Sequence, residues 1–381
     1  MPIDFHRPVP LYRQISDDLR SRIVSGALPP GTPVGSQEEL AREYSVSLIT
    51  VKKALADLIR EGILFSRVGK GTYVAERAPV FTLTRTRAIG IVLRDLSSPF
   101  FSLIVKGVEH AASRAGFTML LSTSADEAER EEQQIRHFVD LGVSGLVIAS
   151  MTHVYEATPA LRELQRRGVP FVMVSYLSDA DIPRVGTDHR EGARMATEHL
   201  IGLGYRRIAY VNGEEGNLVG EERRIGYERA LAFHGLAPDP RYQFRLGRRG
   251  EWNDFQSGVE IGEQYSRLAE KPEAFFVYND LAALGVQQAL LAQGVRVPDD
   301  VAIVGFDDIG RAQYAPVPLT TVRQPTFEIG VQAVGVIESR MAGGAPQALT
   351  ILRPELVVRS SCGAHLLRPP KDAATGERAH V

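Results

Sequence analysis

The sequence predicts a small α+β unit followed by a larger α/β region built on two parallel sheets, and three observations carry that prediction. Residues 8–75 show helical spacing broken by turn signals, and from Ala88 onward short apolar runs alternate with amphipathic segments. Between them, residues 76–87 have no period and carry Pro79. A chain of 381 residues is also too long for one small core, which favours two or three domains.

In the first unit Leu11, Ile15, Leu19 and Ile23 recur four apart, which is one buried stripe of a helix. Leu28-Pro29-Pro30-Gly31 then forces a turn. A second short helix is expected around Gln37 to Tyr44, and a third from near Ser47 that buries Val51, Leu55 and Leu58. Two helices across a tight turn make a helix-turn-helix. Glu61-Gly62 ends the third helix, after which Ile63-Leu64-Phe65 and Thr72-Tyr73-Val74 flank Val68-Gly69-Lys70-Gly71 as a hairpin wing. The unit is taken as 1–78, with 79–87 as linker.

The large region carries apolar runs at 89–93, 145–149, 171–174, 207–211, 274–277 and 301–304. Runs of this kind between amphipathic helices are strands of parallel sheets covered on both faces. The pattern passes twice in outline, which predicts two lobes with a cleft lined by the loops that follow the strands. Lobe 1 is placed at 88–190 and 324–350 and lobe 2 at 191–323 and 351–362, with 363–381 as a disordered tail.

Composition narrows the function classes. Hydrophobic residues at 44% and charged residues at 24% exclude a disordered or membrane chain. Net charge is −2, but residues 1–78 hold about two more cations than anions, a weak pointer to an anionic partner. Cys362 is the only cysteine, so neither an intramolecular disulfide nor a cysteine-based zinc site is expected. The start MPIDFHRPVPLYRQI has no secretory pattern, and no run of about 18 apolar residues occurs. A soluble protein in a reducing cytoplasm is the expectation, with no membrane partner. No nucleophile elbow, HExxH or Walker loop is found, and the nine histidines do not cluster at metal spacing, so no enzyme, cofactor or metal is expected.

Longer motifs say more. PLYRQISDDLRSRIVSGALPPGTPV, EELAREYSVSLITVKKALADLIREGIL and VGKGTYV resemble, in order, the GntR family of winged helix-turn-helix regulators. IGIVLRDLSSPFFSLIVKGVEHAA, HLIGLGYRRIAYV, RRIGYERAL, NDLAALGVQQAL and VRVPDDVAIVGFDD resemble the sensor domain of the LacI/GalR family, which shares its fold with periplasmic sugar-binding proteins. The pairing resembles the arabinose-responsive type of hybrid repressor, in which a GntR reader replaces the LacI reader. The resemblance implies a cytoplasmic transcription repressor that binds double-stranded operator DNA as a homodimer. A small sugar or related metabolite would modulate it; an activator, or a ligand such as a nucleobase, remains the alternative.

Site residues follow. With Ser47 as cap, Leu48, Ile49, Thr50, Lys52 and Lys53 fill the first two turns of the third helix, the part that enters a major groove. The hydroxyls would meet base edges or phosphate and the lysines phosphate; the bland alternative is a solvated helix face. Ser36, ahead of the second helix, and Gly69 and Lys70, at the wing tip, complete the DNA-facing set. The resemblance leads one to expect arginines where Glu38 and Leu48 stand. Leu48 could instead meet a thymine methyl, and Glu38 accept from cytosine or sit away from the groove.

For the ligand, the resemblance implies that Arg223 and Asp280 grip it. Phe100 and Phe101 fall at the cleft or in the core. Tyr176 and Asp188 occupy further cleft positions, Asp188 alternatively capping the helix from Arg190. Trp252 lies near an aromatic ligand position or is buried core, and Gln324 matches a ligand-reaching position. Asp307 and Asp308 are expected to hold a loop and not to touch the ligand.

Overall fold

A computed structural model of the chain describes residues 10–24, 26–60, 62–67, 71–75, 87–96, 98–125, 127–149, 155–247, 254–344 and 349–367. The chain divides into two compact units, Met1–Arg85 and Thr86–Val381. In the first, α1 (Leu11–Val24), α2 (Gln37–Glu43) and α3 (Leu48–Arg60) precede a hairpin of β1 (Leu64–Arg67) and β2 (Gly71–Val74). Ile15, Leu19, Leu40, Val51, Leu55, Leu58 and Leu64 form its core, each worth roughly 1.5–3 kcal/mol on full burial.

Short polar side chains start the helices. Ser36 Oγ accepts from the Glu39 amide at 3.1 Å while the Ser36 amide donates to Glu39 Oε2 at 2.7 Å, a capping box for α2. Ser47 Oγ accepts from the Thr50 amide at 3.3 Å and lies 2.8 Å from Thr50 Oγ1, so α3 begins where its cap predicts.

The second unit starts with β3 (Ala88–Leu93), α4 (Pro99–Arg114), β4 (Thr118–Thr123), α5 (Ala128–Asp140), β5 (Gly145–Ala149), α6 (Pro159–Arg166), β6 (Phe171–Met173) and β7 (Arg184–Thr187). It continues through α7 (His189–Gly202), β8 (Ile208–Asn212), α8 (Leu218–Phe233), β9 (Gln243–Arg245), α9 (Asp254–Gln264), β10 (Ala274–Val277), α10 (Asp280–Ala292), β11 (Ala302–Asp307) and β12 (Thr320–Arg323). Then come α11 (Thr326–Met341), β13 (Leu349–Leu352) and β14 (Glu355–Val357).

One six-stranded sheet runs β13-β7-β6-β5-β3-β4 with every pair parallel. The other runs β14-β12-β11-β10-β8-β9. Its edge strand β14 pairs antiparallel with β12, so this sheet is mixed where a purely parallel one was expected. Core clusters cover both faces of each sheet, as buried parallel sheets require.

The backbone passes between the sheets three times: after Thr187, after Arg323 and after Leu352. The first two passages fall within three residues of the boundaries expected from sequence. The third corrects the split at 350/351, because β13 pairs with β7 through Leu352. Within the segment expected as a disordered tail, Ala364–Leu367 forms a 3-10 turn; residues 368–381 lie outside the described residues.

Close helix contact in the first lobe depends on a missing side chain. A Cβ on Gly107 of α4 would stand 2.1 Å from the Phe327 carbonyl oxygen of α11, so only glycine lets these backbones meet. Among the described residues no helix is long and apolar enough to cross a membrane.

Candidate functional site

Between the two sheets lies a cavity of about 870 Å³, within the size range of small-molecule sites. Its walls come from the carboxyl ends of the strands: Arg94 after β3, Ser175 and Tyr176 after β6, Asp188 after β7, Asp307 at the end of β11 and Gln324 after β12. That placement is the general one for open parallel sheets.

Arg223, on α8, is the cavity's most constrained cation, with only 3% of its surface exposed. Its Nη1 donates to the Tyr278 carbonyl, its Nη2 lies 3.6 Å from Asp307 Oδ1, and its guanidinium sits 3.7 Å over the Phe306 ring. Stacking and charge pairing fix the fork's plane. Its Nε is buried without a hydrogen-bond partner among the described residues, and so are Ser175 Oγ and Thr187 Oγ1. All three residues line the cavity. A buried polar atom left unpaired costs about 1–3 kcal/mol, a cost that a hydrogen-bonding partner at these residues would offset.

Asp307 lines the cavity and Asp280, expected there from the sequence, lies behind its wall. Asp280 has no exposed surface; its Oδ1 accepts from Thr321 Oγ1 at 2.6 Å and its Oδ2 from the Ile309 amide at 2.9 Å. It does not line the cavity but ties α10 to the ends of β11 and β12, and burial together with the charge of Asp307 holds its pKa well above the usual range. Asp307 faces the cavity instead and accepts from Gln324 Nε2 at 2.7 Å. Burial pushes its pKa up to about 6, against the pull of Arg223 and Gln324. Its φ of 116°, followed by Asp308 at 56°, is a conformation that L-residues avoid. Asp308 holds that turn as expected, through Arg323 at 2.7 Å and Arg359 at 2.6 Å.

Phe100, Phe101, Tyr176, Asp188 and Gln324 all line the cavity. Phe101 is also in the core of its lobe, packed edge-on to Phe100 at 5.2 Å. Tyr176 lies under the Arg184 guanidinium at 4.6 Å and reaches Glu222 Oε1 at 3.4 Å; Arg190 Nη2 holds the same carboxylate at 2.8 Å. Asp188 doubles as the cap of α7, accepting from the Glu191 amide at 2.9 Å. His189 also lines the wall, kept neutral by burial and by the charges of Arg223 and Arg184. Trp252 lies outside the described residues.

Sequence reasoning missed Ser175, Thr187, Arg184, His189 and Glu222 as wall residues. The loop-after-strand rule points to Ser175, next to Tyr176; the others lie on strands or helices whose cleft-facing side has no sequence signal. Among the described residues no group of His, Cys, Asp and Glu is arranged to hold a metal ion.

In the first unit α3 turns Val51, Ala54, Leu55 and Leu58 inward. Leu48, Ile49 and Lys52 are exposed and Thr50 is half-buried beside its cap. Lys53 is exposed with its Nζ 3.9 Å over the Tyr12 ring. Ser36 is exposed while its hydroxyl caps α2. Gly69 and Lys70 lie outside the described residues.

Residues 11–74 match the family described as bacterial regulatory proteins, gntR family, and residues 197–362 match the periplasmic binding protein-like domain. An arabinose metabolism transcriptional repressor of Geobacillus stearothermophilus is 33% identical over 366 residues, covering 93% of this chain and 98% of that protein. Among solved structures, the transcriptional regulator CelR–cellobiose complex is 28% identical with a TM-score of 0.65, covering 83% of this chain and 91% of that one. A LacI family transcriptional regulator from Enterococcus faecium with bound ribose is 27% identical with a TM-score of 0.61, covering 72% and 98%. These relatives are transcription regulators and not enzymes, in line with the absence of catalytic motifs.

Proposed function

The chain belongs to the family of bacterial transcription repressors that join a GntR-type DNA reader to a periplasmic-binding-protein-like sensor, and on that premise we propose that it represses its target as a homodimer until a small sugar enters the cleft. The observation that carries the sugar assignment is that Ser175 Oγ, Thr187 Oγ1 and Arg223 Nε, on three residues lining one cavity, are buried without a hydrogen-bond partner among the described residues. Hydroxyl groups of a polyol can both donate and accept, so one ligand pairs all three. Phe100 and Tyr176 supply faces for its C–H surface, and Asp307 and Gln324 supply acceptor and donor. Carboxylates outnumber guanidinium groups among the described wall residues, which favours an uncharged sugar over a phosphorylated one.

The effector acts by its preference for one arrangement of the two lobes. Tyr176 and Glu222 come from different lobes and already meet at 3.4 Å, so a ligand between them changes an existing contact. Residues 1–78 form the reader, with Ser36, Ser47, Leu48, Ile49, Thr50, Lys52, Lys53, Gly69 and Lys70 on its DNA side and 79–87 as tether. The protein acts in the cytoplasm, where its operator lies.

Calorimetric titration of the full chain with arabinose, ribose, cellobiose and their phosphates, alongside adenine and cytidine, tests the reading. Binding of one neutral sugar, weakened about 10- to 100-fold in Arg223→Met, is the expected result. Binding of only the nucleobase or nucleoside would replace the sugar assignment.

A further inference from the structure

We infer that Ile49 and Leu48 read thymine C5-methyl groups, so that the operator carries thymine at the positions these two side chains face; the inference rests on the reading of the first unit as a DNA-binding head. At 3.6 residues per turn, Ile49 lies about 170° from the centre of the buried stripe of Val51, Ala54, Leu55 and Leu58. It is therefore at the middle of the solvent face and 79% exposed; Leu48, at the flank, is 42% exposed. Ala56, two turns on from Ile49 along the same line, is exposed and small, so the strip from Ile49 to Ala56 is apolar and low enough for close approach.

What surrounds the strip decides its occupant. Lys52 and Lys53 flank it, both exposed, and Arg60 beyond it is paired with Asp57. Two exposed lysines beside the first two turns, neither in an ion pair among the described residues, and a neutralised cation at the far end place the favourable field for phosphate around Ile49. The two hydroxyls at the helix start are occupied with each other at 2.8 Å, which leaves the side chains beside them, Leu48 and Ile49, to discriminate between bases. Neither can form a hydrogen bond, and the one apolar group on a major-groove edge is the thymine methyl.

The test uses the full-length chain and duplexes it selects from a random pool. Each thymine of a selected duplex is replaced in turn by deoxyuridine, which deletes the methyl and keeps the pairing edge. At one or two positions per half-site the natural chain should lose about fourfold in affinity, the worth of one buried methyl. Ile49→Ala should lose the sensitivity at one of those positions while keeping its melting temperature and the salt slope set by the lysines. Affinity unchanged at every deoxyuridine position, in a chain that still binds the duplex, overturns the proposal and leaves DNA binding standing. So does undiminished methyl sensitivity in the variants Ile49→Ala and Leu48→Ala. Failure to select any duplex overturns the proposal together with the reading of the head.

Discussion

Asp307→Asn should change how the sensor's stability depends on pH, and the size of the change follows from the carboxylate's surroundings. Burial raises the Asp307 pKa from 3.8 to about 6, with Arg223 and Gln324 opposing and Asp254 adding to the rise. The unfolded chain releases this proton near pH 4 and the folded chain holds it to about pH 6, so between these values the native state binds more protons. The contribution is full below the unfolded pKa and is lost as pH rises through the folded one. A difference of about two pKa steps corresponds to about 3 kcal/mol, of which about 2 falls between pH 4.5 and 7.5. Asparagine resembles the protonated acid in shape and cannot titrate. Relative to the natural chain the variant should therefore gain about 2 kcal/mol over that interval, read as urea midpoints by far-UV circular dichroism. Carboxylates whose surroundings do not change cancel in the difference; Asp280, whose pKa the Asp307 charge helps to raise, shifts downward in the variant and adds to the gain in the same direction. Parallel profiles for the two chains would refute the placement of Asp307 as a buried, ionised wall of the cavity.

Three further outcomes are expected. Arg223→Met removes a charged donor fork and should weaken sugar binding by about 10- to 100-fold, measured by calorimetry with a circular dichroism check that the sheets persist. Gly107→Val sets a branched side chain where even a Cβ would lie 2.1 Å from the Phe327 carbonyl; at least about 1–3 kcal/mol of stability should be lost by urea titration. Ser36→Ala removes one half of the α2 capping box and should cost the DNA-binding head about 1 kcal/mol, seen as a lower melting temperature of that transition in calorimetry.

What the sequence displayed was whatever had a strong period or a long apolar run. The strands β3, β5, β6, β8, β10 and β11 are near-continuous buried runs and start and end close to where they were expected. The strands that escaped notice are short, polar or at an edge. Arg184–Thr187 and Thr320–Arg323 feed the passages between sheets and carry threonine and arginine, while Thr118–Thr123, Gln243–Arg245, Leu349–Leu352 and Glu355–Val357 are edge strands with partly exposed faces. Without two buried faces a strand has no reason to be uniformly apolar.

The site was legible where chemistry and position coincided. Arg223, in RRIGY, lines the cavity, because a helix start beside a strand end leaves few options. Which of Asp280 and Asp307 faces the cavity was not legible because both stand at the ends of buried strands, and the motif NDLAALG does not show which way its carboxylate turns. The deciding fact is tertiary: Thr321 and the Ile309 amide meet Asp280 from behind, while the positive φ at Asp307 turns that side chain toward the cleft. Ser175 and Thr187 were missed for a related reason, since only three-dimensional placement reveals a hydroxyl with no partner.

On the proposed function, the chain reads DNA with its first unit and releases it when a sugar occupies the cleft of its second. The most direct measurement is the affinity of the full-length protein for a selected duplex, by fluorescence anisotropy, with and without each neutral sugar at saturation. One sugar should weaken binding by about 5- to 150-fold, the usual span of coupling between two sites, and the same concentration should weaken the DNA binding of Arg223→Met less, in line with its lower affinity for that sugar. Unchanged DNA affinity for the natural chain in the presence of a sugar shown to occupy the cleft would contradict the proposed function.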